Sequence, residues 1–169
     1  NISKSTKTMR KTKIRRGFFV INSSSTHSLV IQKEKNHIDR KKVFLTTGIF
    51  GWEFRKFTSV HLKLSYVWTA IYEHTQYTKD MYLRDEFLNW LDALVPYEIE
   101  DRYEGYVDHY DILFRPGNLL AQPVNWDRLE RFIFGPLSFL ATGNDNSSGS
   151  NPYLENKVEF EHEIVYKGN

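Results

Sequence analysis

Two neighbouring stretches of helical periodicity, bordered on both sides by short apolar segments, constrain the fold of this chain most. In the first stretch, residues 59–75, the apolar positions are Leu64, Val67, Trp68, Ile71 and Tyr72. In the second, residues 79–95, they are Leu83, Phe87, Trp90, Leu91 and Leu94. Each set follows the spacing of one helix face, so both stretches are predicted to be amphipathic helices. Thr78 is the expected N-cap of the second helix, and Pro96 is expected to end it.

Short apolar or alternating segments surround these helices and predict strands. They are residues 17–22, 29–33, 43–47, 54–58, 112–114, 137–141 and 158–166. A third helix is expected over residues 126–134 with Asn125 as its cap, while residues 23–28 suit a turn and residues 143–152 a loop. Strands on both sides of a helix pair predict an α+β fold with a mainly antiparallel sheet and about three helices packed on it.

Length and composition limit the classes of protein that fit. With 169 residues, 40% of them hydrophobic, the chain is expected to form one α+β domain over residues 17–169, preceded by a basic N-terminal arm at residues 1–16. The absence of cysteine excludes disulfides, thiolate metal sites and thiol catalysis. No apolar run approaches the roughly 20 residues of a membrane span. We therefore expect a soluble intracellular protein without a membrane partner.

The net charge of +2 conceals two oppositely charged regions. Residues 1–42 contain 12 Lys and Arg against two Asp and Glu, a charge of +10. Residues 43–169 contain 11 against 19, a charge of −8. Such asymmetry is typical of an arm that binds nucleic acid or another acidic partner. It equally suits an arm that folds back on the acidic surface of its own chain.

The segment KIRRGFFVINSSSTHSLV, residues 13–30, resembles a group of uncharacterised proteins of bacteriophages and bacteria. These proteins begin with a basic stretch, followed by Gly-Phe-Val, then Asn and a run of serines. Other stretches similar to the group are residues 50–53, 63–66, 105–109 and 142–146. In this chain Thr26 and His27 interrupt the serine run, and Ile21 replaces a smaller residue. The resemblance implies a viral or mobile-element origin, hence the cytoplasm of a host cell, and implies no mechanism.

The serine-rich segment is the first candidate site. Hydroxyl and backbone N–H groups at a strand end can hold a phosphate, and two neighbouring arginines would add bidentate contacts. The residues predicted to bind an anion are Arg15, Arg16, Ser23, Ser24, Ser25 and His27. The alternative is a polar hairpin turn whose hydroxyls bond their own backbone. The segment lacks a phosphate-binding glycine loop of the P-loop type.

A hydrolase is a further interpretation of the same serines. Ser24 or Ser25 would be the nucleophile, with His27 or His109 as its base. The chain has no Gly-x-Ser-x-Gly motif, and serine and histidine are common enough for chance proximity.

The segment Asp108-His109-Tyr110-Asp111 is the best candidate for acid–base chemistry. In an extended segment only one histidine–carboxylate pair would share a face. A metal site would need further ligands such as Glu53, His74 or Asp145, which would suit magnesium, manganese or zinc. Asp145 follows an apolar strand and could instead bind a ribose hydroxyl or serve a turn. A structural hydrogen bond is the alternative for the His109 pair.

Two larger sets of residues complete the analysis. The acidic stretch of residues 98–111 imitates nucleic-acid phosphates, forms a solvated face, or receives the basic arm, and the sequence leaves all three open. The main aromatic residues are predicted to form the core: Phe18, Phe19, Trp52, Trp68, Trp90 and Trp126. Some of the 26 aromatic residues are expected to stay exposed, where they stack on bases or anchor a protein.

Two functions follow from these observations. The first is a phage-type accessory protein that binds a host macromolecule or nucleic acid without catalysis. It would use the turn at residues 22–28 and the basic residues Lys11, Lys13, Arg15 and Arg16. The second is a small enzyme acting on a nucleotide or phosphodiester through Asp108, His109 and Asp145. The sequence identifies no cofactor, no complete metal site and no oligomeric state.

Overall fold

A computed structural model describes residues 25–144, 151, 153 and 162–167 of the chain. The strands in this part are β1 (Ser25–Gln32), β2 (Val43–Leu45), β3 (Ile49–Phe50), β4 (Arg55–Phe57), β5 (Tyr97–Ile99), β6 (Tyr106–Val107), β7 (Phe139–Asn144) and β8 (His162–Lys167). The helices are α1 (Val60–Thr78), α2 (Tyr82–Leu94) and α3 (Trp126–Phe134), with a 3₁₀ helix at Tyr110–Phe114. The predicted α+β fold is confirmed.

Four strands form the main sheet in the order β4-β7-β1-β8. Every neighbouring pair in it is antiparallel, as the sequence predicted. Two small parallel pairs lie outside it: β2 with β5, and β3 with β6. The β4 strand is an edge of the main sheet, in agreement with its alternating pattern.

The two faces of the main sheet bury different sets of side chains. On one face, called here the helix-facing side, the apolar residues join the main core: Leu29, Ile31, Phe57 and Leu140. On the other face a separate small cluster consists of Val30, Phe139 and Ala141. The alternation along β1 and β7 produces both sets, because successive side chains of a strand point to opposite faces.

Helix α1 is more deeply buried than its apolar stripe predicts. Every residue from Lys63 to Ile71 is buried, including polar ones. The Ser65 hydroxyl donates to the carbonyl of Thr46 at 2.8 Å, and the Thr69 hydroxyl donates to the Ser65 carbonyl at 2.6 Å. These hydrogen bonds replace those that the hydroxyls would make to water, so residues 63–71 of the helix can be buried on all sides.

Lys63 is the most unusual of these buried residues. Its Nζ donates to the carbonyls of Gly135 at 2.7 Å and Ser138 at 2.8 Å. Burial lowers the pKa of Lys63 from its ordinary value to about 8, because an ammonium loses its hydration there. The lysine therefore ties α1 to the turn between α3 and β7.

The helix starts agree with the sequence in one case and differ in another. Asn125 caps α3, since its Oδ1 accepts from the backbone N–H of Arg128 at 3.0 Å, as predicted. Thr78 was predicted to cap α2, which is wrong, since it is the last residue of α1 and its hydroxyl donates to the His74 carbonyl at 2.8 Å. The left-handed Lys79, with φ 60°, ends α1, and α2 begins only at Tyr82.

Three local predictions are corrected by tertiary contacts. Residues 112–114 form part of a 3₁₀ helix instead of a strand. Ser25–Ser28, predicted as part of a turn, belong to β1, because β7 pairs with them residue by residue. Residues 142–144, the end of β7, were predicted to lie outside the strand. The predicted strand at residues 17–22 lies outside the described residues.

The acidic stretch contains two strands that the sequence analysis did not assign, β5 and β6. Each is only two or three residues long and pairs with a strand about 55 residues earlier. Gly105, with φ 148°, connects them, and a side chain there would collide with the carbonyl oxygen of Gly48. This close approach brings the segments before β3 and β6 together, where the two strands pair.

Candidate functional site

A cleft of about 460 Å³ opens between the β3–β6 pair and one end of the helix-facing side of the main sheet. Its lining residues are Ile49, Gly51, Trp52, Glu53, Arg55, Phe57, Tyr106 and Thr142. Three apolar side chains at its mouth are strongly exposed: Trp52 at 48%, Tyr106 at 50% and Ile49 at 67%. Trp52 was predicted to belong to the core, and that prediction is wrong.

The backbone around the cleft is held in place by hydrogen bonds between the two sides. The Thr142 hydroxyl donates to the carbonyl of Glu53 at 2.6 Å, which attaches the turn after β3 to β7. The backbone N–H of Asp108 donates to the carbonyl of Phe50 at 2.9 Å. The first bond joins the turn at residues 51–53 to β7, and the second joins Phe50, just before that turn, to Asp108 at the end of β6.

Only glycine fits at position 51 of the cleft, because the Asp108 side chain lies close to the backbone there. A Cβ on Gly51 would lie 2.8 Å from the Cβ of Asp108, closer than real side chains come. The glycine therefore lets the turn after β3 pack directly against the end of β6. As a result, the Asp108 side chain sits against a residue of the cleft lining.

A row of polar side chains crosses the sheet from the cleft to the interior. Arg55 of β4 lies opposite Thr142 of β7, and Thr142 lies opposite His27 of β1. Directly opposite residues share a face, so all three belong to the helix-facing side. Ser25 and Asn144 form the next pair toward the strand ends. The serine-rich segment and residues 142–144, separate in sequence, thus meet beside the cleft.

His27 and Ser25 are buried parts of this row. A hydrogen bond of 2.9 Å joins His27 Nδ1 and the hydroxyl of Tyr66 on α1, the donor depending on the imidazole tautomer. Burial raises the pKa of Tyr66, so its hydroxyl stays protonated. Ser25 is 1% exposed, and its hydroxyl makes no hydrogen bond within the described part of the chain.

Asp108 and His109 lie at the end of β6, next to the cleft. His109 has a left-handed backbone, with φ 55°, and precedes the 3₁₀ helix, so the face-sharing rule of an extended segment does not apply to it. Its Nε2 is 3.9 Å from the Asp108 Oδ1, and both side chains are partly exposed. The pair is close enough for an ionic contact and longer than a hydrogen bond.

Glu73 is an acidic neighbour that the sequence analysis did not single out. It lies on α1, and its Oε2 accepts from the backbone N–H of Val107 at 2.8 Å. Burial raises the pKa of Glu73, the Val107 N–H lowers it, and the charge of Asp108 raises it. The helical position of Glu73, beside the apolar stripe, was the available signal.

The other residues considered for a metal site have separate partners. Glu53 forms an ion pair with Arg55, and His74 stacks on Phe114 with 4.0 Å between ring centroids. Burial lowers the pKa of His74, while the charge of Asp80 raises it. Among residues 25–144 and the few described later ones, no three or more His, Asp or Glu side chains are grouped to hold a metal.

Several predicted site residues lie outside the described part of the chain. They are Lys11, Lys13, Arg15, Arg16, Ser23, Ser24 and Asp145. Their predicted roles stay predictions, as does the anion-binding role of Ser25 and His27. The described residues next to them in sequence, Ser25 and Asn144, are paired with one another beside the cleft.

The exposed aromatic residues of the cleft were missed as a site. The sequence contained one signal, since Trp52 follows Gly51 in a turn, where an aromatic side chain is less easily covered. Tyr106 carried no signal, because β6 was not assigned as a strand.

Comparisons with known proteins supply no further assignment. No family model matches the chain, and no curated protein or solved structure matches it significantly. In the described ranges, no helix has the length and apolar character needed to cross a membrane.

Proposed function

We propose that this protein is a phage-type accessory protein that binds nucleic acid in the host cytoplasm without catalysis. The basic residues Lys11, Lys13, Arg15 and Arg16 supply most of the affinity in this proposal. The cleft beside β1 supplies the contact surface. The observation that carries the proposal is the position of Ser25, where the basic part of the chain enters the described fold.

Ser25 is the described residue that follows the basic segment in sequence, and it belongs to a strand beside the cleft. It pairs with Asn144, whose Nδ2 lies 3.4 Å from the carbonyl oxygen of Trp52. Arg16 precedes Ser25 by nine positions in the sequence, and extended chain spans at most about 3.4 Å per residue. The chain length therefore limits the distance between Arg16 and Ser25 to about 30 Å. A nucleic acid attracted by the arm would be within reach of the cleft.

The charged residues of the cleft do not attract nucleic acid by themselves, so the proposal depends on the basic arm. Arg55 is paired with Glu53, and Asp108 and Glu73 add negative charge nearby. Phosphates gain little from this balance, because attraction and repulsion nearly cancel. The long-range attraction must come from elsewhere, and residues 1–16, with seven Lys and Arg and no Asp or Glu, are its source in the sequence.

Binding across a salt series tests this proposal. Labelled single- and double-stranded nucleic acids are titrated with the native protein and with a variant in which Lys11, Lys13, Arg15 and Arg16 are replaced by Gln. The affinity of the native protein should fall steeply with salt, and the variant should lose up to about three units of the log–log slope. A matched control replaces four exposed lysines, Lys33, Lys35, Lys41 and Lys42, by Gln and should keep most of that slope.

Two results would contradict the proposal. One is the absence of any nucleic-acid binding by the native protein at low salt, which would direct the search to a host protein. The other is an equal loss of slope in the arm variant and in the control, because general charge would then explain the binding.

The enzymatic alternative retains one supporting observation. Asp108 packs against Gly51 of the cleft lining, and the His109 ring is 3.9 Å from its carboxylate. A general acid–base pair acting on a nucleotide or phosphodiester, with Asp145 as a third group, would occupy this position. His109→Ala should abolish turnover in that case and leave nucleic-acid affinity nearly unchanged. Retention of turnover would remove His109 from the site.

A further inference from the structure

We infer that the cleft binds one unpaired nucleobase, stacked on Trp52 or Tyr106 and bonded at its edge by polar groups of the cleft. The inference rests on the proposed function for its setting and adds the class of ligand that the cleft accepts. The base belongs either to a single strand or to a free nucleotide, because both present the same flat heteroaromatic ring.

The first support is the exposure of two aromatic side chains whose backbone is held in place. Trp52 and Tyr106 leave about half of their surface in water, although both ring types gain free energy on burial. Their backbones are fixed, since Tyr106 pairs with Ile49 between strands and the turn containing Trp52 is bonded to β7 through Thr142. An exposed ring on a fixed backbone loses less conformational freedom when it stacks on a base than a ring on a free loop does.

The second support is the mixture of polar groups in the same cleft. Arg55 offers N–H donors and Glu53 offers carboxylate acceptors, and the two form an ion pair with each other. The edge of a base carries donors and acceptors together, and such side chains recognise it. An isolated phosphate suits the cleft less well, because Arg55, the one cation among the described lining residues, is already paired with Glu53.

The size and shape of the cleft select an unpaired base. Its volume of about 460 Å³ lies within the roughly 300–1,000 Å³ of pockets that hold small ligands. In a duplex the ring faces are covered by neighbouring base pairs, so they are not accessible to Trp52. The cleft therefore favours single strands and free nucleotides over duplexes.

The fluorescence of Trp52 provides the test in the full-length protein. Of the four tryptophans, Trp68 is buried, Trp90 and Trp126 are half-buried, and Trp52 is the most exposed. The difference in emission between the native protein and W52F therefore isolates the cleft. The probes are the nucleoside 5′-monophosphates, ribose 5-phosphate as a probe without a base, a single-stranded homopolymer and a duplex.

We expect the monophosphates and the single strand to change Trp52 emission, and ribose 5-phosphate and duplex to leave it nearly unchanged. Tyr106→Ala should weaken monophosphate binding about fivefold or more, as loss of one stacking partner implies. The matched control Phe44→Ala removes an exposed aromatic residue outside the cleft and should not change the affinity. Thermal unfolding of both variants checks that the fold is retained.

The outcomes separate this inference from the proposed function. Salt-dependent binding of single strands without any response of Trp52 would overturn the inference and leave the proposed function standing. Monophosphate binding at Trp52 without salt-dependent binding of strands would support the inference for a free nucleotide and overturn the proposed function. Ribose 5-phosphate acting as strongly as the monophosphates would overturn the inference, because the cleft would then recognise phosphate.

Discussion

The two ends of the helix-facing side of the main sheet differ in chemistry although they belong to the same strands. At one end Leu29, Ile31 and Leu140 join the main core and are fully buried. At the other end Ser25, His27 and Thr142 occupy equivalent positions on the same strands. The apolar end faces the helices, and the polar end leads to the cleft. The polar end is buried as well, and its His27 bonds the hydroxyl of Tyr66 on α1.

Tyr66 marks the boundary between the two ends. Its ring makes edge contacts with Phe50 at 5.3 Å and with Phe132 at 6.4 Å, as part of the core. Its hydroxyl bonds His27, the innermost residue of the polar row. The Tyr66 side chain therefore contacts the apolar core through its ring and the polar row through its hydroxyl. The comparison predicts that substitutions cost stability on the apolar side and affect binding on the cleft side.

The largest effect is expected for Leu29→Ala, at the centre of the apolar end. Removing a fully buried leucine loses its transfer free energy and leaves a cavity. The free energy of unfolding should fall by about 2–5 kcal/mol, measured by chemical denaturation. The comparison would break down if this change cost no more than Trp52→Ala.

The next effect is a pH dependence due to Lys63, the cation within the apolar end. Its pKa is about 8 in the folded protein and 10.5 as the ordinary value, so the unfolded chain binds more protons between these values. Stability should therefore rise with pH, by up to about 2 kcal/mol from pH 8 to pH 10. Denaturation of the native protein and of Lys63→Met over this range measures the difference. Identical pH slopes in the two proteins would contradict the assigned environment of Lys63.

A smaller effect is expected at the boundary, for Tyr66→Phe. The change keeps the ring contacts and removes the hydroxyl that bonds His27. Loss of this bond leaves a buried imidazole nitrogen with one partner fewer, at about 1–2 kcal/mol. Denaturation of Tyr66→Phe and of Phe132→Leu, which alters the apolar side of the same contact, separates the two functions of Tyr66. If Tyr66→Phe leaves the free energy of unfolding unchanged, the stabilising role of the Tyr66 hydroxyl is rejected.

Ser25→Ala is expected to raise stability slightly or leave it unchanged. The Ser25 hydroxyl is buried and makes no hydrogen bond within the described residues, so its removal ends an uncompensated desolvation. A gain of about 0–1 kcal/mol is expected in thermal or chemical unfolding. Thr142→Val is the contrasting variant, because that hydroxyl has a partner in the Glu53 carbonyl, and it should lose stability. A clear loss for Ser25→Ala would show that its hydroxyl has a stabilising role.

The smallest effect on stability is expected for Trp52→Ala. Half of this side chain is already in water, so truncation should change the free energy of unfolding by less than about 1 kcal/mol. The same variant should weaken monophosphate binding in a titration that does not use Trp52 emission, because one stacking ring is lost. A large loss of stability would assign Trp52 to the core and remove the main support for a cleft ligand.

The sequence predicted the elements that depend on local periodicity. The apolar spacing from Leu64 to Ile71 identified α1, and Asn125 identified the start of α3. Both signals are confined to a few turns of chain, where i to i+4 neighbours and caps act. The antiparallel main sheet also followed from the order of strands and helices.

The elements that the sequence did not predict correctly depend on contacts with residues far away in the chain. The β5 and β6 strands are too short to show alternation and exist through pairing with β2 and β3. The three apolar residues at 112–114 fit either a strand or a helical turn, and the 3₁₀ helix that they join packs against α1, with Leu113 in the main core. Ser25 and His27 appeared to be turn residues because their polar character predicts exposure, whereas β7 and α1 bury them.

By itself the sequence determined the fold class, the main helices and the separation of charge along the chain. These properties follow from composition and from contacts between residues near in sequence. Only the tertiary structure decided that Trp52 and Tyr106 are exposed together and that Thr142, His27 and Asp108 lie beside the same cleft. The physical reason is that strand register and the packing of the β3–β6 pair join residues far apart in the chain, and no local pattern encodes those distances.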